Sequence, residues 1–462
     1  MSAANPNMGY RDPCLELMRR HGVSVWCEVE ARTTRGTFRG LVLPRSETSD
    51  AEHLVLKLDC GYNIGIRADT ILDLTKLGYR EAIYKVPEKT YPVDPSKPKV
   101  KLFGTGGTIA SRLDYRTGAV IPAFSPGELY GSVPELADVC NLETEKLFGV
   151  FSENMGPREY MHLAEEIGKA IRAGFAGIVI GHGTDTMHHT AAALSFMVRT
   201  PPVPIVMVGS QRSSDRPSSD AALNLINATW TAAYGDIAEV MVCMFGPTSD
   251  HYNLLHRGTR VRKMHSSYRS TFRTIGDVPL AMVGGQRLTA LHEHARRRPD
   301  REVEVQAAFD ERVTLLYYYP NMQPDVIDAL VQCGYRGIVI AGTGLGHVNR
   351  KVYPALERAR DAGVLVFMTL QTLWGFVQMQ VYETGREILG LGVVPLANML
   401  PEVAYVKLGW ALGLHPDDPA AAVQLMTTSI AGEMTEREPH DGYLIFQGGA
   451  PELQDFLSRV WK

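Results

Sequence analysis

The sequence Phe103-Gly104-Thr105-Gly106-Gly107-Thr108-Ile109-Ala110-Ser111 marks the end of one predicted strand and the tight turn that follows it. The residues before the turn carry apolar side chains at Val100 and Leu102, an alternation typical of a β-strand. Three glycines within four positions allow the backbone to turn sharply and to approach a ligand with no Cβ in the way. Thr105 and Thr108 therefore lie at the carboxyl edge of a strand, where open α/β sheets bind their ligands.

Taken alone, this glycine turn could equally be a connection between two elements. A nucleotide site is disfavoured, because the turn lacks the third glycine of G-x-G-x-x-G and the Lys-Ser/Thr end of a phosphate loop. The residues downstream decide between the structural and the catalytic interpretation.

Beyond the turn, continuous apolar runs alternate with segments of helical periodicity, which predicts a doubly wound α/β domain over residues 99–300. A charged, polar segment at 293–304, with an arginine run at its centre, marks a second boundary. The arginine run is expected to be a solvated face, and nucleic-acid contact is the minority interpretation. The alternation then resumes on a smaller scale and predicts a smaller α/β domain over 301–462. The predicted strands are 177–181, 203–208, 239–245, 278–283, 313–318, 337–341 and 364–370, and the predicted helices are 157–171, 190–198, 220–233, 323–333, 351–362 and 400–412.

The part of the chain before the turn has a different pattern. Four or five short runs with a period of two, separated by polar turns, predict a small all-β barrel over residues 1–85. None of its residues suggests catalysis, so it is either a structural accessory or a docking module for a partner. Residues 86–98 contain four prolines and predict a stiff linker.

Composition limits the classes of function. At 462 residues the chain needs more than one core, and a formal charge of −4 gives no overall basic field for nucleic acid. No apolar run reaches the length of a membrane span, and residues 1–10 have no signal-peptide core. The six cysteines form no C-x-x-C pair, which argues against a disulfide framework or a zinc cluster. We therefore expect a cytoplasmic protein without membrane contact.

Four polar clusters stand beside the predicted strands: residues 105–111 with Tyr115, residues 151–155, residues 182–186 and residues 260–265. In a parallel sheet the ends of neighbouring strands share one edge, so the first and third clusters are expected to face each other. Three histidines, His182, His188 and His189, could suggest a metal, but no carboxylate or cysteine spacing supports one.

These clusters hold the parts of a hydroxyl nucleophile. A threonine needs an adjacent base, and a lysine buried beside a hydroxyl and a carboxylate can give up its proton near neutral pH. Thr184, Asp185 and Lys263 could form such a set, and Tyr115 could serve Thr108 in the same way. Amides of the glycine turn could stabilise an oxyanion, so the set suits acyl transfer to water. The structural alternatives are a helix N-cap at Thr184-Asp185 and a plain surface charge at Lys263.

The blocks at 105–110 and 182–187 resemble the two signature blocks of bacterial-type L-asparaginases, from about residue 100 to the C-terminus. The resemblance implies a two-domain asparaginase-like fold that deamidates an amino-acid amide. It makes Thr108 the nucleophile with Tyr115 beside it, and Thr184, Asp185 and Lys263 the second catalytic set. The substrate-binding residues that it implies are Gly107, Ser152, Glu153, Gly183 and Asp185, of which Glu153 departs from the glutamine found in many asparaginases.

Further stretches are similar to the D subunits of archaeal glutamyl-tRNA(Gln) amidotransferases, the GatD family; they are residues 58–66, 211–220, 260–265, 342–347 and 381–386. This resemblance implies hydrolysis of glutamine or asparagine to ammonia, which a separate E subunit of the amidotransferase uses on Glu-tRNA(Gln). It also implies self-association as a homodimer within a heterotetramer of two D and two E subunits, with tRNA bound mainly through the partner. ATP and Mg²⁺ would belong to that partner, with no cofactor in this chain. A free-standing asparaginase or glutaminase, and a non-enzymatic binding protein on the same scaffold, are the alternatives.

Overall fold

The structure is a computed structural model that describes residues 9–45, 49–80, 91–106, 111–114, 119–122, 129, 132–212, 218–440, 442–443 and 447. It divides into two compact units. The first comprises Met1–Pro87 with Ser111–Ala123, and the second comprises Glu88–Ala110 with Phe124–Lys462.

A strand lies close to each position that the apolar periodicity predicts, and the described residues also contain short strands that it did not predict. The strands are β1 (Cys27–Thr33), β2 (Gly36–Val42), β3 (His53–Leu58), β4 (Asn63–Arg67), β5 (Ile71–Tyr79), β6 (Lys99–Gly104), β7 (Ser111–Asp114), β8 (Ala119–Pro122), β9 (Asn141–Lys146), β10 (Gly177–Gly181), β11 (Val198–Arg199), β12 (Ile205–Val208), β13 (Val240–Phe245), β14 (Asn253–Arg257), β15 (Val261–Lys263), β16 (Phe272–Thr274), β17 (Ala281–Gly284), β18 (Arg287–Ala290), β19 (Glu304–Val305), β20 (Val313–Tyr317), β21 (Gly337–Gly342), β22 (Leu365–Leu370) and β23 (Val394–Pro395).

The α-helices of the described residues fill the intervals between these strands. They are α1 (Cys14–Arg20), α2 (Leu136–Val139), α3 (Pro157–Arg172), α4 (Met187–Met197), α5 (Ala221–Tyr234), α6 (Asp325–Gln332), α7 (Tyr353–Asp361), α8 (Glu383–Gly390), α9 (Pro401–Leu414) and α10 (Pro419–Thr427). None of them has the length and apolar character needed to cross a bilayer.

The first unit confirms the predicted small all-β domain. Its strands β1 to β5 form an antiparallel sheet in the order β4-β3-β2-β1-β5, and β7 and β8 form a separate two-stranded sheet. Alternate residues of β1 are buried, as expected of a sheet with one face on a core. The Tyr10 hydroxyl ties the chain before α1 to this core, because it donates to the Leu43 carbonyl at 2.8 Å.

The second unit contains an eight-stranded sheet in the order β18-β17-β14-β13-β12-β10-β6-β9. Strands β9, β6, β10, β12 and β13 are parallel, whereas β14, β17 and β18 run antiparallel at one end. The α/β prediction is therefore confirmed, but the predicted strand 278–283 is shorter and belongs to the antiparallel end. Helices on both faces bury the central strands completely, which explains their uninterrupted apolar sequences.

The smaller α/β region has a four-stranded parallel sheet in the order β20-β21-β22-β23. One continuous core joins it to the larger sheet, because α9 packs on α4 and their buried side chains belong to the same cluster. Phe196 of α4 stacks on Trp410 of α9 with ring centroids 5.7 Å apart. This shared core fixes residues of the two asparaginase-like regions relative to each other.

The arginine run at 296–298 is not simply the solvated face that its sequence suggests. Arg297 donates to the carbonyls of Gly235, Ala232 and Ala176, so it joins the end of α5 to the segment before β10. Its two neighbours in the run remain on the outside, where Arg296 pairs with an exposed aspartate. A single residue of the run is therefore structural.

Candidate active site

The first and third polar clusters leave neighbouring strands at the same edge of the sheet. Strands β6 and β10 pair in parallel with Gly104 opposite Gly181. One residue later, both the amide and the hydroxyl of Thr105 donate to the Gly181 carbonyl at 3.0 Å. This contact brings the glycine turn beside the segment that begins at His182, as the spacing of the two clusters predicts.

Two glycines allow the second cluster to pack against both turns. A Cβ on Gly106, whose φ is +123°, would lie 2.1 Å from the Val150 carbonyl oxygen. A Cβ on Gly183 would lie 2.8 Å from the Cβ of Ser152. The hydroxyl of Thr186 then donates to the Ser152 carbonyl at 2.5 Å. Three of the four clusters thus converge because the backbone at these glycines carries no side chain.

The fourth cluster reaches the third through Lys263. Its Nζ donates to Thr184 Oγ1 at 2.9 Å and to Asp185 Oδ1 at 2.7 Å. The Lys263 side chain is only 9% exposed, whereas that of Asp185 is 71% exposed. Thr184 is itself buried. A buried amine in contact with a hydroxyl and a carboxylate is an arrangement that can exchange a proton with that hydroxyl.

Lys263 is held at the end of a short antiparallel ladder. Strand β15 pairs with β16, and Lys263 lies opposite Phe272, which is fully buried. Val261 on the same strand is part of the main core. The surface-charge alternative for Lys263 is therefore wrong, because its amine lies within the protein on two polar partners.

The histidines of the third cluster are structural neutral groups. His182 is fully buried, its Nδ1 donates to the Gly183 carbonyl at 2.7 Å, and its Nε2 accepts from the Thr190 hydroxyl at 2.9 Å. Burial lowers the pKa of His182 to about 4 and that of His189 to about 4, and it also lowers the pKa of His188. Within the described residues, no three histidine, cysteine, aspartate or glutamate side chains are grouped as metal ligands.

The structure describes some of the other predicted site residues and not others. Ser152 is buried and Glu153 is exposed on a single turn of 3-10 helix at 152–154. Gly107, Thr108 and Tyr115 lie outside the described residues.

One contact of the fourth cluster has no counterpart in the sequence-based site. Arg262, next to Lys263, donates to the carboxylate of Glu402 at 2.8 Å. Glu402 is on α9 in the smaller region, in a segment whose apolar periodicity predicted only a packed helix. No local sequence signal marks this residue, because its partner is 140 positions away.

Three family models match the chain. Residues 99–296 match "Asparaginase, N-terminal", residues 312–426 match "Glutaminase/Asparaginase C-terminal domain", and residues 27–77 match "GatD N-terminal domain". The thermostable L-asparaginase from Thermococcus kodakarensis has a similar structure, with a TM-score of 0.64 and 31% identity over 73% of this chain and 99% of that chain. L-asparaginase I from Vibrio cholerae aligns with a TM-score of 0.63 and 27% identity over 74% of this chain and 100% of that chain.

Curated relatives extend over more of the sequence. The D subunit of glutamyl-tRNA(Gln) amidotransferase from Thermococcus kodakarensis is 50% identical over 435 residues, which is 93% of this chain and 98% of that protein. The protein of the same name from Methanopyrus kandleri is 48% identical over 434 residues, 92% of this chain and 94% of that protein. These matches include the N-terminal all-β domain as well as both asparaginase-like regions. The chain therefore belongs to the GatD family, the D subunits of glutamyl-tRNA(Gln) amidotransferases.

Proposed function

We propose that this chain is the amidohydrolase subunit of a Glu-tRNA(Gln) amidotransferase. It hydrolyses the side-chain amide of glutamine, or of asparagine, and the ammonia passes to a partner subunit that amidates Glu-tRNA(Gln). The observation that carries this proposal is the contact of the buried Lys263 amine with buried Thr184 and exposed Asp185, beside the glycine turn, in a chain that matches GatD relatives over 93% of its length.

The proposed chemistry proceeds in two acyl transfers. The Thr108 hydroxyl attacks the amide carbon and its proton goes to the amide nitrogen by way of Tyr115. The carbon–nitrogen bond then breaks, so that ammonia departs and a threonyl ester remains. Lys263 and Thr184 then take a proton from water as its oxygen attacks the ester carbon. A proton returns to the Thr108 oxygen as the ester C–O bond breaks, which restores Thr108 and releases the amino acid. Each positioned proton transfer contributes roughly 10²–10⁴ in rate.

The remaining parts of the site bind the substrate in this proposal. Ser152 and Glu153 bind the α-carboxylate and α-amino groups, and the exposed carboxylate of Asp185 lies where it can also attract the ammonium. Gly107 and Gly183 carry no side chain and so would leave room for the substrate backbone. No cofactor is needed, because side chains supply the nucleophile and the proton transfers.

The proposed assembly follows the relatives' name. This chain would pair with the amidotransferase's E subunit in a heterotetramer of two D and two E subunits, with its own copies forming a homodimer. ATP, Mg²⁺ and most tRNA contacts would belong to the E subunit. The N-terminal domain favours this function over a free-standing asparaginase, because solved asparaginases align with 73–74% of this chain and leave a quarter of it unmatched.

Ammonia release from glutamine and from asparagine tests the proposal, with and without the E subunit, ATP and Glu-tRNA(Gln). We expect low activity for the isolated chain and a rise with the complete system, whereas equal high activity in both would indicate a free-standing hydrolase.

The catalytic roles are tested by substitution. Thr108→Ala and Thr184→Ala should each lower kcat by roughly 10³-fold or more, since each removes a reacting or proton-transferring group. Thr369→Ala is the matched control, because Thr369 is a buried threonine on β22 whose hydroxyl donates to the Met399 carbonyl. Full activity of Thr108→Ala with loss in Thr184→Ala would make Thr184 the nucleophile. Full activity in both would remove the catalytic assignment.

A further inference from the structure

Glu402 is a buried carboxylate with a single cationic partner in the described residues. It lies in the first turn of α9 and is 3% exposed. Its Oε2 accepts from Arg262 Nη1 at 2.8 Å, and its Oε1 has no hydrogen-bond partner among the described residues. Burial raises the pKa of Glu402 and the Arg262 charge opposes that effect. Burying a charged carboxylate costs free energy unless the carboxylate is paired. The protein therefore depends on the bond between Glu402 and Arg262 to keep this charge buried.

Arg262 is well placed to transmit that constraint to the amine of Lys263. Successive side chains of a strand point to opposite faces. Val261 and Lys263 therefore share one face of β15, and Arg262 projects from the other. The ladder with β16 contains only three residue pairs, so contacts outside it also help to fix the position of β15. The bond from Glu402 holds β15 from the face opposite to the one from which Lys263 reaches Thr184.

The charge of the same arginine also acts on the helix that follows Thr184 and Asp185. Helix α4 begins at Met187, and the Arg262 charge contributes to lowering the pKa of both His188 and His189 in its first turn. Strand β15, which carries both Arg262 and Lys263, also packs against α4, the helix that follows Thr184 and Asp185. Moving Arg262 would disturb both sides of the contact between Lys263 and Thr184.

We propose that Glu402 is a positioning residue for the proposed amide hydrolysis: through its bond to Arg262 it holds the Lys263 amine within hydrogen-bond distance of Thr184. This proposal rests on the proposed function. It assigns the smaller α/β region a part in catalysis without a residue that touches the substrate. Because proton transfer depends on distance, Glu402 governs kcat, while substrate affinity depends on the cluster at Ser152 and Glu153.

Steady-state kinetics of amide hydrolysis by the full chain, assembled with its partner, test this assignment. Glu402→Ala should lower kcat about tenfold or more and change KM by less than about threefold, since a displacement on the order of 1 Å can cost 10²-fold in rate. Arg262→Ala should give the same loss, and the Arg262→Ala/Glu402→Ala double variant should be no slower than either single variant. Glu402→Gln keeps an oxygen that can accept from Arg262, so it should recover most of the lost rate.

Lys407→Met is the control for a general loss of stability. Lys407 is on the same helix and belongs to a different buried ion pair, with Glu433. The Lys407→Met variant should have a lower melting temperature than the wild-type protein. Below its melting transition it should keep kcat within about twofold.

Four results would overturn the assignment: kcat of Glu402→Ala within twofold of wild type; losses that multiply in the double variant; a Glu402→Gln variant as slow as Glu402→Ala; or an equal loss in Lys407→Met. If Glu402→Ala does not fold, Arg262→Ala carries the same test. A wild-type protein without amidase activity would instead refute the proposed function. Activity that is lost in Lys263→Ala but retained in Glu402→Ala would refute the positioning role alone.

Discussion

The ion pair between Lys407 and Glu433 should respond to substitution in an unusual order. Both side chains are fully buried, and Lys407 Nζ donates to Glu433 Oε1 at 2.5 Å. The amine also donates to the Thr428 carbonyl at 2.6 Å, just beyond the end of α10. The carboxylate accepts from two backbone amides, those of Ile430 and Ala431. Each charge of the pair therefore has the other as its partner, and backbone groups satisfy the remaining polar atoms.

Removing one charge should cost far more than removing both. Lys407→Met leaves a buried carboxylate without its cation, which typically costs about 3–5 kcal/mol. In Lys407→Met/Glu433→Gln the charge is gone, and the amide oxygen of the glutamine still accepts from Ile430 and Ala431. The residual loss is then mainly the bond to the Thr428 carbonyl, about 1 kcal/mol. The double variant should therefore be more stable than Lys407→Met by about 2–4 kcal/mol.

Differential scanning calorimetry of the two variants and the wild-type protein measures this order. At about 2–4 °C per kcal/mol for a region of this size, Lys407→Met should melt on the order of 10 °C below the wild-type protein. The double variant should recover more than half of that difference. A double variant that melts no higher than Lys407→Met would refute the reasoning, because the buried carboxylate would then not be the source of the loss.

Two further predictions concern stability. Burial holds the pKa of His182 and His189 at about 4 and that of His256 at about 3, so between pH 6.5 and 4 the unfolded state binds more protons than the folded state. Stability should fall as the pH is lowered through this window, by up to about 4 kcal/mol per pH unit from these three groups. His256→Asn should remove about a third of that slope when the free energy of unfolding is measured by denaturation at a series of pH values. Gly276→Ala should be less stable than Gly285→Ala by about 1–3 kcal/mol. Both glycines have positive φ, +64° and +57°, but only at 276 would a Cβ meet Arg260 Nη2, at 2.3 Å. Equal melting temperatures for these two variants would contradict that packing argument.

The large elements of the fold could be predicted because their sequences carry one dominant period. The runs at β10, β13 and β21 are buried throughout, so nearly every residue is apolar. Helix α3 begins at Pro157 and shows a clear apolar stripe, and its predicted bounds agree with the structure to within one residue. Strands β14 to β18 were harder to predict, because they are three to five residues long and pair antiparallel. Elements that short contain too few residues to establish a period.

The candidate site likewise contains residues that the sequence could identify and one that it could not. Thr184, Asp185 and Lys263 could be singled out because each stands in a polar cluster directly beside a strand. Glu402 could not be singled out, because its proposed role depends on a contact with Arg262 that only the tertiary structure creates. The prediction for Arg297 was wrong for a related reason: a run of arginines says nothing about which guanidinium finds backbone carbonyls within the protein.

The position of Lys263 on a minor ladder explains why the smaller region should matter for activity. Thr184 follows a central strand of the large sheet, whereas Lys263 ends a three-residue strand outside that sheet. Two arginines close to Lys263 in the sequence fix this segment, because both reach the smaller region. Arg260 is fully buried and donates to the carbonyls of Asn398 and Glu433, and Arg262 donates to Glu402. The lysine is thus held in register with Thr184 by the region that carries none of its polar partners, so changes at the bond between Arg262 and Glu402 should act on the rate of amide hydrolysis before they act on binding.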